Sequence, residues 1–154
     1  MHSRMFGIID KESYEKDPDV LVCYDEEVPS FADYTDNDTD LEEDIKWLLG
    51  SFSNHGCSSY FEYDSVHHTI KFKEGFKEHY FVDRWDDFIK GIMQPRMYER
   101  FCSGDVYSLQ DLIERKYEFY QFDEYGTYQT MDNFVRELKY EEEYVIFQSI
   151  DYHF

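Results

Sequence analysis

The sequence predicts an α+β fold: a single domain of about four helices packed on a mainly antiparallel sheet of four to six strands. Two observations predict it. Aromatic residues make up 20% of the 154 residues, enough to build a core despite a net charge of −20. Stretches with helical periodicity alternate with short β-prone runs, and no Pro-, Gly- or Ser-rich linker divides the chain. We therefore expect one domain over residues 1–154.

The first third of the chain predicts one short strand and one helix. Residues 1–18 are expected to be loosely ordered, and residues 19–24 are β-prone. Thr39 and Glu42 have the spacing of a capping box, which predicts a helix that ends at Gly50 or Gly56. Apolar residues then recur on one helical face: Leu41, Ile45, Leu48, Leu49 and Phe52.

The middle of the chain predicts three strands joined by tight turns. They cover residues 59–63, 68–73 and 76–81, and the dipeptides Asp64-Ser65 and Glu74-Gly75 between them are typical of hairpin turns. In the middle run apolar and polar residues alternate, as expected for a sheet with one solvated face.

Three helices and a strand are predicted in the remainder. Asp83 is an N-cap candidate for a helix that ends before Pro95, and Ser108 with Asp111 predicts a second. Thr130 is expected to begin the last helix, whose inward residues are Met131, Phe134, Val135 and Leu138. A closing strand is predicted from Tyr144 towards Phe154.

The charge is concentrated near the N-terminus. The first 44 residues contain fifteen Asp and Glu against three Lys and Arg, so they carry −12 of the −20. Direct binding to nucleic acid or to anionic lipid requires clusters of basic residues, and is therefore not expected. No apolar run has the length of a signal peptide or a membrane span, so we expect a cytoplasmic protein. A strongly negative surface instead predicts a basic protein as the partner.

Motifs for metal binding or catalysis are incomplete. Asp36, Asp38 and Asp40 have the first spacings of a calcium loop, but Leu41 and Trp47 stand where the loop needs glycine and a bidentate acid. The three cysteines form no CxxC pair, and the chain has neither a nucleophile elbow nor a glycine-rich phosphate loop. We predict no metal, no cofactor and no enzymatic activity.

The C-terminal half resembles the end of the accessory region that precedes the catalytic domain of bacterial RES toxins. The resemblance lies in Met131-Asp132-Asn133-Phe134, Leu138-Lys139-Tyr140 and Tyr144-Val145-Ile146-Phe147. Met131, Tyr140 and Glu143 stand where that family usually has Trp, His and Arg. The resemblance implies a free-standing relative of a toxin accessory region, and it assigns no catalytic residue to this chain.

Acidic residues interleaved with tyrosine and phenylalanine predict the function. Carboxylates imitate phosphates and tyrosine rings stack on guanidinium groups, so the chain is similar in character to acidic nucleic-acid mimics such as anti-CRISPR and antirestriction proteins. We predict a non-enzymatic inhibitor that blocks the DNA or RNA site of a basic nucleic-acid-binding protein, an effector nuclease or a toxin. An immunity protein or antitoxin for a basic nuclease toxin, or a toxin-associated accessory domain, is the alternative. The predicted partner-binding residues are Asp33, Tyr34, Asp36, Asp38, Asp40, Glu42 and Glu43, with Glu141, Glu142 and Glu143 as a second patch.

Overall fold

The structure is a computed structural model that describes residues 1–24, 28–54, 57–114 and 118–154. Seven strands in these residues form one sheet: β1 (His2–Asp10), β2 (Tyr34–Asp36), β3 (Phe61–Asp64), β4 (Thr69–Phe72), β5 (Tyr120–Phe122), β6 (Tyr128–Thr130) and β7 (Glu143–His153). The same residues form six α-helices: α1 (Lys11–Lys16), α2 (Leu41–Asn54), α3 (Phe76–Ile92), α4 (Pro95–Ser103), α5 (Val106–Glu114) and α6 (Met131–Glu137). A short 3₁₀ helix, Ser58–Tyr60, precedes β3.

The predicted α+β class with a mainly antiparallel sheet is confirmed. The strand order is β3-β4-β7-β1-β5-β6, and β1 pairs with β5 in parallel while the other described pairs are antiparallel. β2 adds to β7 on the side where β4 also pairs, because β7 is long enough to hold both. β7 and β1 therefore form the centre of the sheet.

The expectation of a loose start to the chain is wrong. β1 lies between β7 and β5, and Met5, Phe6, Ile8 and Ile9 are buried. A strand covered on both faces is a continuous apolar run rather than an alternating one, which is the pattern of these residues. α1 follows directly, and the Asp10 side chain accepts a hydrogen bond from the Ser13 backbone N–H at 2.9 Å to cap it.

The predicted strand at residues 76–81 is also wrong, because these residues begin α3. Phe76, Tyr80 and Arg84 recur at four-residue spacing and form the buried side of that helix. Residues 19–24 form no strand either. The Gln148 side chain instead contacts the backbone N–H and C=O of Val22 at 2.8 and 2.9 Å, in place of a neighbouring strand.

The helices at residues 41–54 and 131–137 and the closing strand are confirmed. In α2 the cap differs from the prediction: Asp40 Oδ1 accepts from the Glu43 N–H at 3.1 Å, whereas Thr39 donates to the Ser149 carbonyl at 2.9 Å. Gly50 lies inside α2, and Gly56 lies outside the described residues. α5 begins at Val106, before the predicted cap, because Asp105 accepts from the Ser108 N–H at 3.3 Å. α4 was not predicted as a separate helix.

Both faces of the sheet are covered. Phe6 and Ile8 of β1 contribute to a core shared with α2, α3 and α6, whereas Met5 faces a second cluster beneath residues 22–24 and 31–32. Among the helices of the described residues, none combines the length and the apolar character needed to cross a bilayer. The acidic residues follow the second cluster in the chain, along the end of β7.

Candidate functional site

Residues 33–43, here called the acidic segment, follow the C-terminal half of β7. Tyr34 pairs with His153 and Asp36 with Asp151 in the sheet, and Thr39 is anchored on the Ser149 carbonyl. β2 pairs with β7 alone among the described strands, so its other edge is unpaired within the described residues. The segment is thus a continuous edge that leads into the first turn of α2.

All six carboxylates of the acidic segment are exposed: Asp33, Asp36, Asp38, Asp40, Glu42 and Glu43. Asp33 is 3.3 Å from His153 Nδ1. The other five form no ion pair with any residue that the structure describes. No lysine or arginine occurs among these eleven residues, and none of the described ones lies within ion-pair distance of these five carboxylates.

Two of these carboxylates also hold the backbone in place. Asp36 Oδ1 accepts from the Asp38 N–H at 2.8 Å, and Asp40 Oδ1 caps α2 as described above. Acids in the first turn of a helix are stabilised by its dipole, so part of this cluster has a structural explanation. Asp38 has no such role, because its side chain makes no contact of this kind among the described residues.

Asp44 is the last residue of the acidic run in the sequence, but its side chain is buried and is not part of the acidic surface. It is 5% exposed and accepts from Arg4 Nε at 2.8 Å, while Arg4 Nη1 lies 2.6 Å from Asp151 Oδ1. One guanidinium therefore joins two carboxylates of α2 and β7 beneath the segment. Asp44 therefore differs from the exposed acids around it, because it is buried and its charge is balanced by Arg4.

Tyr34 is the aromatic residue of the acidic segment. Its ring stacks on the His153 ring with centroids 5.0 Å apart and an interplanar angle of 6°. The His2 ring contacts it in a T-shaped arrangement, with centroids 6.1 Å apart. Tyr34 remains 47% exposed. A ring held in place with one free side is suited to stack on a guanidinium or a planar group of a partner.

The predicted second patch differs in its electrostatics. Glu143 accepts from Lys11 Nζ at 2.5 Å, Glu141 lies 3.7 Å from Lys71 Nζ, and Glu142 lies 3.3 Å from Lys139 Nζ; these groups line a groove of about 830 Å³. The Lys11 hydrogen bond lowers the pKa of Glu143. Each glutamate thus has its own lysine, and the structure does not join this patch to the acidic segment.

Large exposed apolar side chains on the helices after β4 were not identified from the sequence as a surface. Trp85, Tyr98 and Phe101 are 61, 73 and 70% exposed. The sequence did contain a signal for this surface: the residues of α3 are apolar on two sides of the helix, and a single core can bury only one of them.

The described residues contain no group of three or more His, Cys, Asp or Glu side chains that could hold a metal ion. Cys57 is buried, and burial raises its pKa to about 11, which suppresses the reactive thiolate. His67 and His68 contact Asp64 and Tyr63 respectively, as local turn partners. His55 lies outside the described residues.

Comparison of the chain with protein-family models, curated proteins and solved structures found no match. The resemblance to the RES toxin accessory region therefore stays a prediction. The most specific feature of the described surface is the exposed acidic segment, whose carboxylates form no ion pair with a described lysine or arginine.

Proposed function

We propose that the chain is a non-catalytic inhibitor that binds a basic nucleic-acid-handling protein and covers its DNA or RNA site. The supporting observation is that the acidic segment presents six exposed carboxylates without one lysine or arginine among them. Self-repulsion within such a segment costs stability, which a cationic partner would reverse on binding. The lysine-paired Glu141, Glu142 and Glu143 do not share this property, so the proposal rests on the acidic segment alone.

The spacing and the ring chemistry of the segment support mimicry of nucleic acid. Alternate residues of an extended strand lie about 6–7 Å apart, close to the separation of phosphates along one nucleic-acid strand. Asp36 ends β2, and Asp38 and Asp40 continue the alternation through the stretch before α2, which is not a strand. Tyr34 adds a stacking surface for arginine. The carboxylates would mainly increase the association rate and select a cationic partner, whereas aromatic contacts would slow dissociation.

The proposal assigns the protein to the cytoplasm, where such effectors act on nucleic acid, and gives it no cofactor and no reaction. It is tested by immobilising the protein and capturing basic proteins at about 50 mM NaCl. The NaCl concentration is then raised to about 500 mM, where the attraction between exposed charges reaches only a few ångströms. We expect a nucleic-acid-binding protein that is released by salt and is also displaced by duplex DNA or RNA at low salt. Retention that neither salt nor nucleic acid reverses would contradict the proposal.

The identity of the captured protein separates the two functional classes. Capture of an effector nuclease whose activity the chain blocks would support the inhibitor function. Capture of a toxin encoded by a neighbouring gene would support the antitoxin alternative. Both would use the same acidic segment, because the electrostatic attraction is the same.

A further inference from the structure

α3 is apolar on the side that faces solvent as well as on the side that faces the core. Val82, Trp85, Ile89 and Ile92 follow one another at three- and four-residue spacing, which places them on one stripe of the helix. They are 60, 61, 39 and 38% exposed. Nothing in the fold of the described residues covers this stripe.

A groove continues the stripe toward α5 and α6. It has a volume of about 430 Å³ and is lined by Phe81, Trp85, Phe88 and Ile113, with Arg84, Asp132 and Arg136 as its charged groups. Arg136 lies 5.0 Å from the centre of the Phe81 ring, at the rim. We call the stripe and the groove together the α3 face.

The apolar area is large enough for a stable interface. Five large apolar side chains of the α3 face are each at least 38% exposed: Val82, Trp85, Ile89, Ile92 and Ile113. At roughly 100 Å² each, a fraction of the 150–250 Å² that an aromatic side chain can bury, they expose on the order of 500 Å². This area is comparable to the apolar part, about 56–58%, of the roughly 800 Å² that each partner buries in a standard interface.

The distribution of charge favours a second copy of the chain as the occupant. Residues 76–114 contain five Lys and Arg against eight Asp and Glu, so this quarter of the chain carries only −3 of the −20. Within it, residues 88–104 are net positive, with three basic side chains and one acidic. Two molecules of the same large negative charge repel each other least where their surfaces are closest to neutral. A strongly basic partner would instead meet the like charge of Arg136 at the rim of the groove.

We propose that two copies of the chain associate through their α3 faces into a symmetric dimer. The same surface then faces itself, which is the commonest arrangement of soluble oligomers. The acidic segment stays free, because it extends only into the first turn of α2, whereas α3 packs on Phe52, about 17 Å from Leu41 along that helix. A dimer would therefore display two acidic segments to partners.

The test is the mass of the intact protein in solution, measured by sedimentation equilibrium at about 50 and 500 mM NaCl. We expect twice the 18.9 kDa of one chain, with tighter association at high salt because screening weakens the repulsion between copies. Trp85→Glu with Ile89→Glu should raise the dimer dissociation constant by at least about 30-fold, the factor of one strong anchor residue. Ile113→Glu, on the other side of the groove, should act in the same direction.

Val66→Glu is the matched control, because Val66 is 79% exposed in the turn between β3 and β4, outside the α3 face. It should leave the dissociation constant within about twofold of the unmodified protein, and circular dichroism should show that every variant is folded. A monomer at high salt and about 100 µM protein would overturn the proposal, as would dimers that survive both groove variants unchanged. The result is separable from the proposed function, since binding to a basic partner should weaken with salt whereas the dimer should strengthen.

Discussion

Arg84 of α3 donates from Nε to Asp132 Oδ2 of α6 at 2.8 Å, and the two side chains are only 9 and 6% exposed. The Tyr80 hydroxyl donates to the other oxygen of Asp132 at 2.7 Å. Arg84 Nη2 reaches the Leu112 and Ile113 carbonyls at 3.4 and 3.2 Å, where α5 approaches its end. One buried arginine therefore joins the three helices around the groove of the α3 face.

Removal of Asp132 should destabilise the protein strongly. Asp132→Ala leaves the Arg84 guanidinium buried without its counter-charge, which typically costs about 3–5 kcal/mol of unfolding free energy. Urea unfolding followed by circular dichroism measures the change. Glu12→Gln is the control: its ion pair with Lys16 on α1 is exposed, and its loss should cost less than about 0.5 kcal/mol. A small effect of Asp132→Ala would show that water reaches Arg84.

α6, which has one apolar side, was predictable from the sequence, whereas β1 and the start of α3, which have two apolar sides, were not. α6 buries Met131, Phe134, Val135 and Leu138 on one side, so its helical period was visible. β1 is covered on both faces, so its apolar residues do not alternate with polar ones. Because acidic residues follow it directly, the whole N-terminal stretch was interpreted as loosely ordered. α3 has apolar residues on two sides, and its first turn was interpreted as a strand because short apolar runs do not distinguish the two.

Gly7 should tolerate no side chain, whereas Gly50 should accept one. A Cβ at Gly7 would lie 2.6 Å from Phe147 Cζ and 2.9 Å from Phe122 Cε2, beside the irregular register of β1 and β7. Gly7→Ala should therefore cost about 1–3 kcal/mol. At Gly50, inside α2, no atom beyond its neighbours and the adjacent helix backbone lies within 4 Å of the added Cβ, and Gly50→Ala should stabilise by about 0.5–1 kcal/mol. Thermal unfolding should show a lower melting temperature for Gly7→Ala and a higher one for Gly50→Ala. Equal changes in the two variants would contradict this packing of β1.

The three cysteines should differ in reactivity. Cys23 and Cys102 are exposed, whereas Cys57 is fully buried with a pKa of about 11 against an ordinary 9. At pH 8 a thiol reagent should label two cysteines of the folded protein rapidly and the third only after denaturation. Cys57→Ala should remove the slow class alone. Rapid labelling of all three in the folded state would place Cys57 at the surface.

The same shift makes a small part of the stability depend on alkaline pH. Because the pKa of Cys57 is higher in the folded protein, the folded state holds its proton more tightly than the unfolded chain. This contribution is complete below about pH 9 and is lost as the pH rises to about 11. The unfolding free energy, measured by urea titration across that range, should fall less in Cys57→Ala than in the unmodified protein.

The position of the acidic segment on an edge was only partly predictable. Its charge is evident in the composition, but its freedom from lysine depends on which strands meet, and sequence spacing does not reveal this. Asp44 belongs to the same run and is paired with Arg4, forty residues earlier in the chain. Glu141, Glu142 and Glu143 have a similar local sequence, yet long-range pairing brings Lys11 and Lys71 to two of them.

The contrast between the two acidic patches gives the most direct test of the acidic segment. Replacement of Asp36, Asp38 and Asp40 by asparagine removes three charges but keeps the side-chain oxygens that accept from the Asp38 and Glu43 N–H groups. The fold should therefore survive, which circular dichroism and urea unfolding can establish. Binding to the captured basic protein should weaken about 10- to 100-fold, mainly through a slower association rate.

The matched control replaces Glu141, Glu142 and Glu143 by glutamine. It removes the same number of charges from the patch in which each carboxylate already has a lysine partner. Affinity, measured by surface plasmon resonance at about 100 mM NaCl, should change less than threefold. Glu143 lies about 26 Å along β7 from Asp151, the pairing partner of Asp36, and this separation exceeds the Debye length of about 10 Å, so the charge that steers a partner to the acidic segment is retained. If both triple variants weakened binding to the same degree, net charge rather than the acidic segment would determine recognition, and the mimicry of a phosphate backbone by residues 33–43 would be wrong.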